Sequence, residues 1–195
     1  MLNYRSISFA AIALIVTLSG ACATTSVEES WTSRSPSSQP LGNVVTMFIS
    51  ETNSTTMRRA GEDRMAKELA HRGIRATPAY ALFGDQPVGD IEMLKPKLKQ
   101  LGYDGLVTMR LIEAHQEVDY APGDWGGGYW WYGGYYSPGY VYTQTVVRME
   151  TRAYATGTGE LVWSAITKSY DDDANDVVED ASQIAAKKLG RAKAG

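Results

Sequence analysis

Few side chains in this chain could carry covalent or acid–base chemistry. The single cysteine is Cys22, the two histidines are His71 and His115, and no nucleophile motif or phosphate-binding loop accompanies them. Nothing pairs the histidines in sequence as metal ligands, and the helix dipole alone explains His71 at a helix end. We therefore predict no catalytic residues, no metal site and no bound cofactor, and the indicated chemistry is confined to Cys22.

An acidic segment near the C-terminus has the spacing of a calcium loop. Asp171, Asp173 and Asn175 match the first three ligand positions, but the sixth position is Asp176 instead of Gly and the twelfth is Ser182 instead of Glu. We interpret these acidic residues as the start of a helix, where negative charge complements the helix dipole.

The residues before Cys22 have the layout of a secretory signal peptide over 1–21. Arg5 precedes the apolar run Ile7–Leu18, and three small residues then lead to the cysteine: Ser19, Gly20 and Ala21. The apolar run is shorter than the roughly 18–20 residues that cross a bilayer. Ordinary cleavage after Ala21, which would release a soluble secreted protein, is the alternative.

This arrangement resembles that of bacterial lipoprotein precursors. The resemblance implies that Cys22 receives a diacylglycerol on its thiol and, after cleavage, an acyl chain such as palmitate on its new α-amine. Inner-membrane retention in enterobacterial lipoproteins depends on an aspartate after the cysteine, and Ala23 stands there in this chain. The resemblance therefore implies an outer-membrane lipoprotein that faces the periplasm, held by several acyl chains.

Composition indicates the partner class and the domain organisation of the rest of the chain. Without 1–21 there are 18 Lys and Arg against 22 Asp and Glu, a balance of −4, so we expect no nucleic-acid partner. Residues 22–43 are rich in Ser, Thr and Pro without helical or strand periodicity, which predicts a lipidated flexible tether with a reach of about 65 Å. We assign 44–190 to a single periplasmic domain and 191–195 to a tail.

The first half of that domain alternates strands and helices. The apolar run Val44–Ile49 predicts a buried strand, and apolar residues at every fourth position from Met57 predict a helix that ends at Gly73. A second strand over Ile74–Tyr80 contains Pro78, which indicates a sheet edge. A second helix is predicted from Asp90 to Gly102, kinked or split at Pro96.

The second half predicts three strands followed by a helix. The strands are Gly105–Val118, Tyr140–Ala155 and Leu161–Tyr170, and the helix presents apolar residues from Val177 to Leu189. The predicted fold class is α/β (α+β), with a mixed sheet, the order β-α-β-α-β-β-β-α and a long aromatic Gly-rich hairpin insert.

The insert, residues 119–143, has the most unusual composition in the chain. It holds seven Gly, seven Tyr and three Trp in 25 residues. Repeated Gly–Gly steps are costly to order, so we expect an exposed hairpin tip. Its candidate partner contacts are Trp125, Trp130, Trp131, Tyr132, Tyr135 and Tyr136. Insertion at a membrane interface and a loop with no binding role are the alternatives.

Two stretches carry a second resemblance, which covers roughly Val44 to Leu189. Gly102–Val107 (GYDGLV) and Thr158–Ser164 (TGELVWS) look like segments of periplasmic lipoproteins with a domain like the N-terminal domain of TolB. That group includes CsgG-like proteins and outer-membrane activators of penicillin-binding proteins. The resemblance implies a scaffolding or regulatory role, and Trp163 is expected to fill a core pocket.

Together these observations predict a non-enzymatic, membrane-anchored envelope scaffold or partner-binding protein. Its expected partners are the membrane, through the lipid anchor, and an envelope protein or peptidoglycan, through the insert. The competing class is an envelope hydrolase or a small-ligand or glycan-binding protein, which would need a polar cleft near Glu113, His115 or Asp104.

Overall fold

A computed structural model describes residues 25–34, 40–49, 54–85, 91–122, 124–125, 136–170 and 173–194. Twelve elements occur there, in the order β1 (Thr25–Thr32), β2 (Asn43–Ile49), α1 (Thr55–His71), β3 (Arg75–Pro78), α2 (Ala79–Phe83), α3 (Ile91–Gln100), β4 (Gly105–Ala121), β5 (Asp124–Trp125), β6 (Tyr136–Ser137), β7 (Tyr140–Ala155), β8 (Leu161–Ser169) and α4 (Ala174–Ala194). The mixed α/β class predicted from the sequence is confirmed.

A six-stranded sheet in the order β1-β8-β7-β4-β2-β3 forms the centre of the domain. β2 runs parallel to both β3 and β4, whereas the neighbours β4, β7, β8 and β1 pair antiparallel. β2 is apolar along its length and buried at five consecutive residues, as expected for a strand covered on both faces. Pro78 ends the edge strand β3, as its missing N–H requires.

Helices cover the two faces of the sheet and create two apolar cores. α1 and α4 cover one face, over a cluster that includes Phe48, Met109 and Trp163. α2 and α3 cover the opposite face of β2 and of the start of β4, around Leu98 and Leu106. Trp163 is 3% exposed, which confirms its predicted place in the core.

Local sequence explains the ends of α1. The Ser54 side chain accepts a hydrogen bond from the Met57 N–H as the N-cap, and Gly73 takes a positive φ of 76° just past the C-cap. Met57 begins the predicted apolar stripe, yet it is 45% exposed. The acidic residue Glu62 is instead fully buried within the same helix.

The tether predicted over 22–43 needs correction over Thr25–Thr32. These residues form β1, which pairs with β8 from Thr25↔Ser169 to Thr32↔Trp163. The sequence concealed this strand because all of its residues after Thr25 are exposed, so no apolar alternation marks it. Backbone hydrogen bonds to the β8 edge hold it in place.

Other predicted elements differ in detail. The second strand is shorter than Ile74–Tyr80, because the chain turns into the short helix α2 after Pro78. Pro96 lies within α3 without splitting it. The structure also adds β1, α2 and the pair β5–β6 to the predicted order. The predicted cap Asp90 lies outside the described residues.

Candidate functional site

The candidate site is a two-stranded hairpin arm, formed by residues 113–121 of β4 and 140–148 of β7. The two strands pair continuously from Glu113↔Arg148 to Ala121↔Tyr140. Within the described part of the chain, β4 pairs with β2 only as far as Arg110, and β7 pairs with β8 only from Val147 onward. The arm therefore extends beyond the main sheet for about 24 Å between Ala114 and Ala121.

Strand alternation divides the arm into two faces, since directly opposite residues of an antiparallel pair share a face. The uncharged face consists of Ala114, Gln116, Val118, Tyr120, Val141, Thr143, Thr145 and Val147. The charged face consists of Glu113, His115, Glu117, Asp119, Ala121, Tyr140, Tyr142, Gln144, Val146 and Arg148. Every ionisable acidic or basic side chain of the arm lies on the second face.

Apolar side chains are exposed along the arm, and Val118 of the uncharged face is the most exposed of them. Val118, Tyr120 and Val141 on the uncharged face are 71%, 57% and 65% exposed. On the charged face, Val146 is fully buried and His115 and Glu117 are partly exposed, whereas Tyr140 and Tyr142 further along the arm are exposed. Exposed apolar side chains of this kind mark an interaction surface.

An ion-pair network covers the charged face. Arg148 pairs with Glu28 of β1 (Nε to Oε2, 2.8 Å) and with Glu113 of the arm. His115 lies between two carboxylates, with Nδ1 3.1 Å from Glu113 and Nε2 3.1 Å from Glu117. Lys168 of β8 adds a contact of 3.7 Å to Glu117. The network links the base of the arm to the main sheet.

The ion pairs and hydrogen bonds of this network also shift the pKa values of its residues. The hydrogen bond from Arg148 holds the pKa of Glu28 below its usual value, and the same bond raises the pKa of Arg148. A hydrogen bond with Tyr170 raises the pKa of Lys168. Further along the arm, the negative charge of Asp119 raises the pKa of Tyr142, whose hydroxyl donates to that carboxylate at 3.2 Å.

The predicted aromatic contacts are described only in part. Trp125 and Tyr136 are opposite each other in the short β5–β6 pair, which continues the hairpin beyond the arm. The other four, Trp130, Trp131, Tyr132 and Tyr135, lie outside the described residues, as does Cys22. Their proposed roles stay predictions.

The residues named for a competing hydrolase or ligand site lie in two separate places. Glu113 and His115 are on the charged face of the arm. Asp104 precedes β4 and accepts hydrogen bonds from the backbone N–H groups of Gly42 and Asn43 at 3.1 and 2.8 Å. Asp104 therefore stabilises the start of the sheet, and the structure does not bring it together with the other two.

Two further properties concern metals and membranes. Over the described ranges, no three His, Cys, Asp or Glu side chains form a group suited to a metal ion. No helix in the described part of the chain has both the length and the apolar character needed to cross a membrane.

The exposed insert predicted over 119–143 includes Tyr120 and Val141, but neither they nor Val118 were among its predicted contact residues. Those contacts were instead aromatic residues from Trp125 to Tyr136, whereas Val118, Tyr120 and Val141 belong to the most exposed apolar surface that the structure describes. A signal was present, because Glu113, His115, Glu117 and Asp119 recur at every second residue with uncharged residues between them.

Comparison with known proteins adds solved structures of low similarity. No protein-family model matches the chain, and no curated protein matches it. The PelC dodecamer from Paraburkholderia phytofirmans is 14% identical over 83% of this chain and 96% of that chain, with a TM-score of 0.46. Lipoprotein GNA1162 from Neisseria meningitidis is 14% identical over 77% of this chain and 99% of that chain, with a TM-score of 0.44. We draw no role from these similarities.

Proposed function

We propose that this protein is a lipid-anchored, non-enzymatic scaffold or binding protein of the bacterial envelope that engages its partner through the hairpin arm. The observation that carries the proposal is the arm itself, two strands wide and outwardly apolar. A projecting ribbon with 71% exposure at Val118 costs solubility and adds no core, which is consistent with a surface kept for binding.

The rest of the domain provides a rigid base for such an arm. β4 and β7 continue from the arm into the sheet, where Met109 is fully buried and Met149 is 2% exposed. A binding element built on continuous strands is held more firmly than one on a free loop. The base can therefore hold the arm in a fixed direction relative to the main sheet.

The anchor part of the proposal rests on the residues around Cys22. Acylation there, at the outer membrane and facing the periplasm, would place the arm within the envelope. Growth with a fatty-acid analogue should label the wild-type chain and leave a Cys22→Ser chain unlabelled. Label on the Cys22→Ser chain would contradict the assignment of Cys22.

The binding part is tested by shortening the hairpin. Replacing 122–139 with Asn-Gly joins the paired residues Ala121 and Tyr140 through a two-residue turn. The shortened chain should keep its melting temperature, because no residue that the structure describes within 122–139 belongs to either core. The shortened chain keeps the arm, so crosslinking in intact cells from the arm should capture an envelope protein or peptidoglycan with both chains. Capture by the full-length chain alone would assign the contact to residues 122–139 instead.

A matched pair of point variants distinguishes specific binding by the arm from nonspecific hydrophobic association. Val118→Ser changes the exposed arm, and Met93→Ser changes a residue of α3 that is 76% exposed. Only the first should reduce capture. Equal capture by Val118→Ser and Met93→Ser would overturn the role given to the arm.

A further inference from the structure

The main sheet ends, and the arm begins, at one row of paired residues across four strands. Thr25 of β1 is opposite Ser169 of β8, which is opposite Val147 of β7, which is opposite Ala114 of β4. A hydrogen bond of 2.8 Å between the Thr25 and Ser169 hydroxyl groups fixes one end of the row. β1 begins at this row and runs away from the arm, so Thr25 lies at the end of the main sheet from which the arm projects.

The distance from that row to the anchor is short. Two residues, Ala23 and Thr24, separate Cys22 from Thr25, and the three extended Cα–Cα steps between them span at most about 11 Å. A flexible tether over 22–43 would have reached about 65 Å. Because β1 is part of the sheet, a lipid on Cys22 keeps the base of the arm next to the bilayer surface.

An arm of about 24 Å that begins so close to a bilayer can enter it, lie along it or point away from it, and the exposed apolar side chains Val118, Tyr120 and Val141 favour contact with lipid. Strands twist by about 20–25° from one neighbour to the next, so the arm runs obliquely to β1. The distribution of charge selects the second arrangement, because the acidic side chains of the charged face extend as far as Asp119. These carboxylates would be expensive to place in hydrocarbon.

We infer that the uncharged face of the arm lies on the lipid surface of the membrane that holds Cys22. This deepens the proposed function and rests on its lipid anchor. Valine and tyrosine side chains are favoured at the boundary between headgroups and acyl chains, and no ionised side chain of this face would lose its water there. The lipid contact then holds the arm against the membrane, while the charged face, with Arg148 and its carboxylate partners, points into the aqueous compartment towards the envelope partner. On this arrangement Val118→Ser reduces capture because it releases the arm from the membrane.

Adjacent residues on opposite faces provide the test. In the acylated chain Cys22 has no free thiol, so Thr143→Cys or Gln144→Cys introduces the only reactive one. Each variant is labelled with the fluorophore NBD and reconstituted into vesicles of phosphatidylethanolamine and phosphatidylglycerol containing doxyl-labelled phosphatidylcholine. NBD at position 143 should be quenched about threefold more than at position 144, since an interfacial face is buried by about 5–10 Å. Equal quenching, or stronger quenching at 144, would overturn the inference.

A second measurement uses the non-acylated Cys22→Ser chain and the same lipids. Val118→Asp should lower its partitioning onto vesicles about tenfold, because burial of a valine side chain is worth about that factor in an equilibrium constant. Gln144→Asp, on the other face, should not lower it. Equal effects of the two variants would contradict the inferred orientation.

Failure of the anchor and failure of the orientation give different results. Intact-mass measurement of the wild-type chain without acyl chains would overturn both proposals. An acylated chain with equal quenching at 143 and 144 would overturn only the lipid contact. Protection of position 143 in cells, without quenching in vesicles, would show that a protein covers the uncharged face.

Discussion

The helix-covered body of the sheet and the hairpin arm are built from the same two strands, β4 and β7, yet they place apolar residues in opposite ways. In the body, Met109 is fully buried beneath α1 and α4. In the arm, Val118 of the same strand is 71% exposed, whereas Val146, opposite His115, is fully buried among charged neighbours. The strand pairing is continuous, so the contrast comes from what covers each face.

This contrast shows which part of the chain provides stability and which part is available for binding. Burial of apolar area against helices provides the folding free energy of the body. The arm adds backbone hydrogen bonds and ion pairs at an exposed site, where such pairs contribute little. Substitutions should therefore separate into those that unfold the domain and those that change only its contacts.

The largest expected effect is the difference between truncating a β4 side chain in the body and truncating one in the arm. Met109→Ala should lower the free energy of unfolding by about 2–5 kcal/mol, because it leaves a cavity in a closed core. Val118→Ala should change it by less than about 0.5 kcal/mol. Urea denaturation followed by tryptophan fluorescence measures both, and similar losses would show that the arm is part of the folding core.

A buried carboxylate in the body gives an intermediate effect. Glu62 of α1 is 0% exposed and accepts hydrogen bonds from the Tyr80 N–H at 2.8 Å and the Phe48 N–H at 3.4 Å. Glu62→Gln keeps the shape but offers only one oxygen to these two donors. We expect a loss of about 1–3 kcal/mol in the free energy of unfolding.

Glu62 should also make the free energy of unfolding depend on pH, in the opposite direction to that of most carboxylates. Burial raises the pKa of Glu62, so the folded chain favours its neutral form. The stability that this shift provides is full below the unfolded value of about 4.3 and is lost as pH rises through the raised value. The Glu62→Gln chain should lack this slope, whereas Glu29→Gln, at an exposed residue of β1, should keep it.

The smallest expected effect concerns the ion pairs at the base of the arm. Arg148→Met keeps most of the side-chain stem but removes the link between Glu28 of β1 and Glu113 of the arm. Amide hydrogens of Thr25–Thr32 should exchange faster, with no change in the body, and added salt should shrink the difference from wild type.

The ion pair between Arg148 and Glu28 should also make the stability of β1 sensitive to acid, with the pH dependence that is usual for a carboxylate. Arg148 lowers the pKa of Glu28, so the contribution of the pair is present above the unfolded value of that carboxyl and is lost as pH falls through the lowered one. The Arg148→Met chain should not show this dependence in its exchange rates. An unchanged acid dependence would mean that the pair does not hold β1.

Much of the fold was predictable from local patterns. The continuous apolar run of β2, the serine and glycine at the ends of α1 and the buried Trp163 after a Thr-Gly turn each depend on neighbours in sequence. The arm was predictable as a hairpin for the same reason. The orientation of its faces was visible in the alternation of Glu113, His115, Glu117 and Asp119, although which face is covered was not.

Local sequence was enough to predict the strands and helices whose periodicity follows from their own side chains, and it is the sole basis for the hypothesis that Cys22 is acylated. The tertiary structure was needed to show that Thr25–Thr32 join the sheet and that Glu62 is buried. Each of these depends on a partner distant in sequence: the free edge of β8 for the strand, and the amides of Phe48 and Tyr80 for the carboxylate. Backbone pairing and burial are properties of two segments together, so neither segment encodes them alone.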